Sequence, residues 1–190
     1  MFQAITLILL AAAYRIVAAT NPALINFSPL MALTFCGAVY FRSPRMWLLP
    51  VLALLGSDLC LNWYYGTLGG YPYDVTAMMV RLGCFVAALG LGWAVSKHKN
   101  WVTLFGGALT GSLIFYVGTN TAAWLTDPFY AQTSASWLQV MTVGTPGFPP
   151  TIFFFRNTLV SDLLFTAMFA LVMERAALKA GEQSLIRVKS

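Results

Sequence analysis

Charge is what this chain has least of. Asp, Glu, Lys and Arg make up 9% of its 190 residues, where water-soluble domains carry about 25%, and that scarcity excludes a soluble globular fold. Histidine is almost missing as well, His98 being the only one. Serine hydrolases and zinc proteases need a histidine in the site, and His98 stands between Lys97 and Lys99 in a sequence that reads as solvated charge. There is no P-loop, so the chain does not hydrolyse ATP itself. The three cysteines, at 36, 60 and 84, lie inside apolar stretches, without CxxC or Cys/His spacing. That spacing argues against a disulfide framework and a structural metal site, and the thiols read as small buried hydrophobes. A membrane aspartyl protease would pair two aspartates at one depth, whereas Asp58 and Asp162 fall at different depths. With these chemistries gone, the chain reads as a non-enzyme that needs no cofactor.

Apolar residues fill the space, at 59% of the sequence. A bilayer core about 30 Å thick takes about 20 such residues per helix, and six segments can be read: Gln3–Thr20, Phe27–Phe41, Met46–Trp63, Thr76–Val95, Trp101–Leu125 and Thr151–Met173. A membrane barrel would alternate in polarity, and runs such as Ile5 to Ala13 do not. The expectation is therefore all-α: one membrane domain over 1–190, a bundle of about six transmembrane helices with a tail over 174–190. The second segment would reach only about 22 Å at 1.5 Å per residue, so it is short or buried by its neighbours. The first has no basic stretch before it and carries Arg15 late in its apolar run, so it reads as helix one rather than as a cleaved signal.

The net charge of +5 would suggest nucleic acid in a soluble protein, but here the basic residues occupy short loops, and no nucleic-acid partner is expected. Arg42 and Arg45 follow segment two, Lys97 and Lys99 follow segment four, and Arg175, Lys179, Arg187 and Lys189 follow segment six. With six spans these three places share one side. The positive-inside rule makes that side cytoplasmic, as expected of a multi-pass protein of a bacterial inner membrane with both termini inside. The opposite loops are Asn21–Asn26, Tyr64–Val75 and Thr126–Pro150, whose only charges are Asp74 and Asp127.

Five ionisable residues fall within the segments: Arg15, Asp58, Arg81, Arg156 and Asp162. Charge at such depth marks a functional candidate. In that topology Arg15, Asp58, Arg81 and Arg156 are each about five residues from the outer end of their helices and so roughly 7 Å deep, with Asp162 nearer the midplane. Polar neighbours recur at helical spacing: Asn157, Thr158, Ser161 and Thr166 beside Asp162, then Ser112, Tyr116, Thr119 and Asn120 on the fifth segment. The economical reading is one polar cavity opening outward. Arg15, Arg81 and Arg156 would take an anionic group, Asp58 and Asp162 a cation, amine or proton, and Tyr116, Asn120 and Asn157 would orient the solute. Three positive charges against two negative tilt the reading toward a carboxylate or phosphate. The alternative is structural, with arginines snorkelling and Arg–Asp pairs holding helices or a partner subunit together. A third reading has Cys60 or Cys84 ligating a corrinoid by thiolate. Glycines on the fourth and fifth segments, among them Gly83, Gly90, Gly92, Gly107 and Gly111, read as close helix contacts.

The stretch from Asn26 through Phe27, Ser28, Pro29 and Leu30, then Gly37 to Phe41, Pro50, Ser57-Asp58, Asn120 to Leu125, and Phe155 to Asp162 resembles an uncharacterised bacterial family of proposed transport membrane proteins. In layout that family is similar to the S components of energy-coupling-factor transporters, six-helix proteins that bind micronutrients near their outer surface. The resemblance implies a small-molecule solute as ligand, membrane lipid around the bundle, and an energising module as partner. The AxxxA docking motif that many S components carry on helix one is absent, since Ala4, Ala11, Ala12, Ala13, Ala18 and Ala19 give no such pair there.

Overall fold

The structure, a computed structural model, describes residues 2–19, 21, 24, 26–41, 43–68 and 75–186. Arg42, Asp74, Arg187, Lys189 and the end of the first expected span at Thr20 lie outside the described residues. The described chain is helical throughout, with seven α-helices: α1 Phe2–Ala19, α2 Leu30–Tyr40, α3 Pro44–Leu68, α4 Val75–Ser96, α5 Trp101–Thr126, α6 Ser134–Thr142 and α7 Thr151–Lys179. Among the described residues three stretches are long and apolar enough to cross a membrane: Arg45–Tyr64, Val75–Ser96 and Trp101–Thr126. Large apolar side chains such as Val102, Trp63, Val17 and Leu52 are exposed all around the bundle. A water-soluble protein does not tolerate so much exposed apolar surface, and it suits a helical bundle surrounded by lipid.

The ends of these helices follow from local chemistry. Asn100 caps α5 by accepting from the Thr103 amide, while the Thr103 hydroxyl faces the Asn100 amide in return. Thr133 and Ser136 make the same reciprocal cap on α6. Proline occupies the first position of α3, where its missing N–H costs nothing, whereas Pro50 sits inside that helix and removes one backbone bond.

Two elements depart from the sequence expectation. The second segment reads as a span over Phe27–Phe41, but α2 has 11 residues, about 16 Å, too short to cross. Leu30 through Val39 are all buried, because α1, α3, α4, α5 and α7 all pack around this helix. It is the hub of the bundle. Gly92 on α4 and Gly107 on α5 make room for it: a Cβ on Gly92 would overlap the Phe35 carbonyl, and one on Gly107 would stand 2.6 Å from the Phe35 ring. A methyl group placed on Gly83, Gly90, Gly106 or Gly111 would meet nothing within 4 Å, so close approach accounts for only some of the glycines.

The second departure is α6, inside Thr126–Pro150, a stretch that reads as a loop in the sequence. Its residues Val140 and Met141, with Tyr130, form a small separate core against Tyr116, Ala123, Trp124 and Trp137. The segment thus folds back over the end of α5. All three cysteines are free thiols, Cys36 and Cys84 buried and Cys60 exposed.

Candidate functional site

Three helices each send one charge to a common point. Asp58 on α3 is 2% exposed and pairs through Oδ1 with Arg15 Nη2 of α1, and through Oδ2 with Arg81 Nε of α4 at 3.0 Å. Arg15 Nη1 also donates to Ser57 Oγ at 2.6 Å, and Ser57 donates onward to the Leu54 carbonyl at 2.9 Å. The Arg15 fork therefore grips two adjacent side chains of α3. Burying a lone carboxylate is costly, and here each of its oxygens has a guanidinium. The cluster of two arginines and one aspartate keeps a surplus of one positive charge.

Asp162 on α7 is buried without such partners. Ser112 of α5 donates to its Oδ2 at 2.7 Å. The Ala32 amide, in the first turn of α2, lies near enough to act on the carboxyl, yet Oδ1 has no partner with hydrogen-bond geometry among the described residues. Asp162 makes no ion pair among them either.

Between these two groups lies a cavity of about 270 Å³. Arg15, Arg81 and Asp162 line it, while Asp58, paired with both arginines, does not. Asn26, Ser28 and Thr158 add polar edges, and Phe27, Leu54, Phe85 and Phe115 add apolar ones. The chain enters α2 along this cavity. Asn26 takes a φ of +62°, a left-handed conformation that asparagine tolerates better than most residues. The Ser28 amide donates to Ser161 Oγ at 3.3 Å, the Ser161 hydroxyl faces the Ser28 carbonyl at 3.2 Å, and the Thr158 hydroxyl faces the Asn26 carbonyl at 3.5 Å. α7 thus holds the irregular backbone that leads into α2.

A family model described as "Family of unknown function (DUF6580)" matches residues 1–184. The chain belongs to this family. No curated protein and no solved structure matches it.

In this DUF6580 chain, the eight residues singled out from the sequence do not all meet. Arg15, Arg81 and Asp162 line the cavity and Asp58 backs it. Arg156, expected beside them, is exposed, with Cζ 5.3 Å from the Phe153 ring centre and Nη2 3.4 Å from Asn157 Oδ1, and it is not in the lining. The Tyr116 hydroxyl donates to the Met141 carbonyl and its ring lies on Phe155, 4.6 Å between centres, so it holds α6 in place. Asn120 donates to the Tyr116 carbonyl at 2.8 Å. Neither these two nor Asn157 lines the cavity. The cysteines considered for a corrinoid do not line it either: Cys60 is exposed on α3, and the Cys84 thiol faces the Ile114 carbonyl at 3.9 Å.

A third buried acid escapes the sequence reading. Glu174, just past the end of the sixth apolar segment, is 0% exposed. Lys99 Nζ is 2.7 Å and the Tyr40 hydroxyl 2.9 Å from its Oε1, and the Leu185 amide is 2.7 Å from its Oε2. Burial works against its charge, but the hydrogen bonds from Lys99, Leu185, Tyr40 and Ser184 outweigh that, and its pKa lies below the ordinary glutamate value. This cluster ties together the end of α2, the α4–α5 connection, the end of α7 and the segment after it. Arg45, Lys97, Arg175 and Lys179 are close in sequence to those points, so the basic residues gather at the end of the bundle away from the cavity.

Proposed function

We propose that this protein is a membrane transport protein that binds a small solute in the cavity between Arg15, Arg81 and Asp162 for uptake. The observation that carries this reading is Asp162 Oδ1: a buried acceptor on a residue that lines the cavity, with no hydrogen-bond partner among the described residues. Native proteins satisfy their buried polar atoms, and one left over beside a cavity is accounted for by a group that comes and goes. The short helix α2 adds support. Transporter sites form where broken helices end near the midplane, with irregular backbone tolerated because protein or a cavity surrounds it. The layout resemblance to S components points the same way, with an outward-facing site and without the motif for a shared energising module.

The gathering of basic residues at the other end supports a cytoplasmic placement of both termini in a bacterial inner membrane. The tilt toward an anion weakens once Arg156 is outside, because the site then holds two arginines and two aspartates. A second reading, a structural or partner-binding subunit, is favoured by the mutual satisfaction of Arg15, Asp58 and Arg81. Thermal melting of the purified protein against a metabolite panel separates the two. A binder is stabilised by mass action, by about 2.7 kcal/mol at one hundred times Kd. A subunit whose charges only hold helices together shows no shift with any member of the panel.

A further inference from the structure

The cavity is lined by charges of both signs from three helices, Arg15 of α1, Arg81 of α4 and Asp162 of α7. The Arg15–Asp58–Arg81 cluster carries a surplus positive charge, both oxygens of Asp58 being occupied. Asp162 is 1% exposed, with Oδ2 on Ser112 and Oδ1 unpartnered among the described residues. α1 packs on α3, whereas α4 and α7 both pack on α2 and α5, and among the described residues no ion pair joins Asp162 to Arg15 or Arg81. Positive and negative residues that line one cavity without pairing to each other are complemented by a molecule that carries both charges.

We infer that the solute is a small zwitterion with an apolar body, such as a free amino acid with an aliphatic or aromatic side chain. This rests on the solute-binding reading above and sharpens it. The carboxylate of the zwitterion sits on the free N–H groups of Arg15 and Arg81, since guanidinium forks match a carboxylate. Its ammonium donates to Asp162 Oδ1. The apolar part lies against Phe27, Phe85 and Phe115. A simple anion would satisfy the arginines and leave Asp162 uncovered, and a simple cation would do the reverse. Either one also leaves a net charge in a low-dielectric space, where an unpaired ion is strongly disfavoured. A zwitterion brings none. The size agrees: about 270 Å³ lies just under the usual range of about 300–1,000 Å³ for ligand pockets, which suits a metabolite and not a large cofactor.

The test uses purified full-length protein in lipid nanodiscs and two matched series. One is leucine, 3-methylbutylamine and 4-methylpentanoate; the other is phenylalanine, phenethylamine and 3-phenylpropionate. The remaining proteinogenic amino acids and a panel of neutral and anionic metabolites are run beside them. Affinity is read by calorimetry and by the thermal midpoint. The inference expects at least one amino acid to bind, with its amine-only and acid-only analogues at least tenfold weaker. Asp162→Asn should erase the preference for the amino acid over the acid, and Arg81→Gln the preference over the amine. The analogue series on the unaltered protein decides the matter even where a variant does not fold. If an anion or a cation alone binds as tightly as any zwitterion, or if only uncharged metabolites bind, the inference falls and the solute-binding reading stands. If nothing in the whole panel binds, both fall.

Discussion

Glu174 and Asp162 are the two acids that α7 buries, 12 residues apart and nearly inaccessible alike, and they are treated in opposite ways. Glu174 has a cation and two further donors at hydrogen-bond distance, drawn from three other parts of the chain. Asp162 has one serine donor, the Ala32 amide nearby, and an oxygen without a partner of hydrogen-bond geometry among the described residues. Burial alone therefore does not separate a structural acid from a functional one. What separates them is whether the protein itself supplies every partner. By the same test Asp58 stands with Glu174, because two arginines cover it even though both of them line the cavity.

The comparison is broken most directly by removing these acids one at a time. Asp58→Asn leaves two partly buried guanidiniums without a counter-charge and should destabilise the protein by about 3–5 kcal/mol. Asp162→Asn removes a carboxylate whose partner is not in the protein and should cost under about 1 kcal/mol in the absence of solute, the Asn carbonyl still accepting from Ser112. Melting of both variants in detergent checks the contrast, and equal losses would put Asp162 among the structural acids.

Next in size comes the pH dependence of the Glu174 cluster. Its pKa is held below the ordinary value in the folded protein, so the unfolded chain takes up the proton first as pH falls. The stabilisation is then complete above the ordinary glutamate pKa of about 4.3, and it is lost as pH drops through the lower folded value. Glu174→Gln should lower stability at neutral pH by about 2 kcal/mol, the worth of its charged hydrogen bonds, and should flatten the acid limb of the stability curve. A variant that keeps the wild-type acid limb would assign that limb to other groups.

The smallest effect contrasts two glycines of α4. Gly92→Ala presses a methyl against the Phe35 carbonyl and Ala38 Cβ and should cost about 1–3 kcal/mol. Gly90→Ala meets nothing and should be neutral or gain up to about 1 kcal/mol of helix propensity. If both are neutral, α2 is held less tightly than the packing indicates.

Much of this is legible in the amino-acid order alone, and the losses have physical causes. Apolar length locates α1, α3, α4, α5 and α7, because a long run of such residues has few other conformations to adopt. It cannot show that α2 is short, since a core segment wrapped by protein is as apolar as one in lipid. The helix α6 is hidden because its few apolar residues lie in a polar stretch; the reciprocal cap of Thr133 and Ser136, followed by Trp137, Val140 and Met141 at helical spacing, is the available signal. Depth along the helix puts Arg15, Asp58, Arg81 and Arg156 at one level; the first three pair with one another, and Arg156 is exposed outside the cavity lining. Arg156 and Glu174 show why: 18 residues apart, about five whole turns, they project from the same side of α7, yet one is exposed and the other wholly buried. Register tells which way a side chain points and not what is waiting there.

The brevity of α2 has a consequence for biogenesis. A helix of this length cannot be handed to lipid as a finished span, because its ends would leave unpaired amides and carbonyls in hydrocarbon. The chain must therefore release the long helices on either side of it first. Only when α4, α5 and α7 have come together, and Gly92 and Gly107 present their bare backbones, does a surface exist that can receive it. Second in translation, α2 is among the last to settle. A ribosome-stalled chain ending after α3 should accordingly hold residues 30–40 in a position accessible to water-soluble reagents, and completion of α7 should withdraw them.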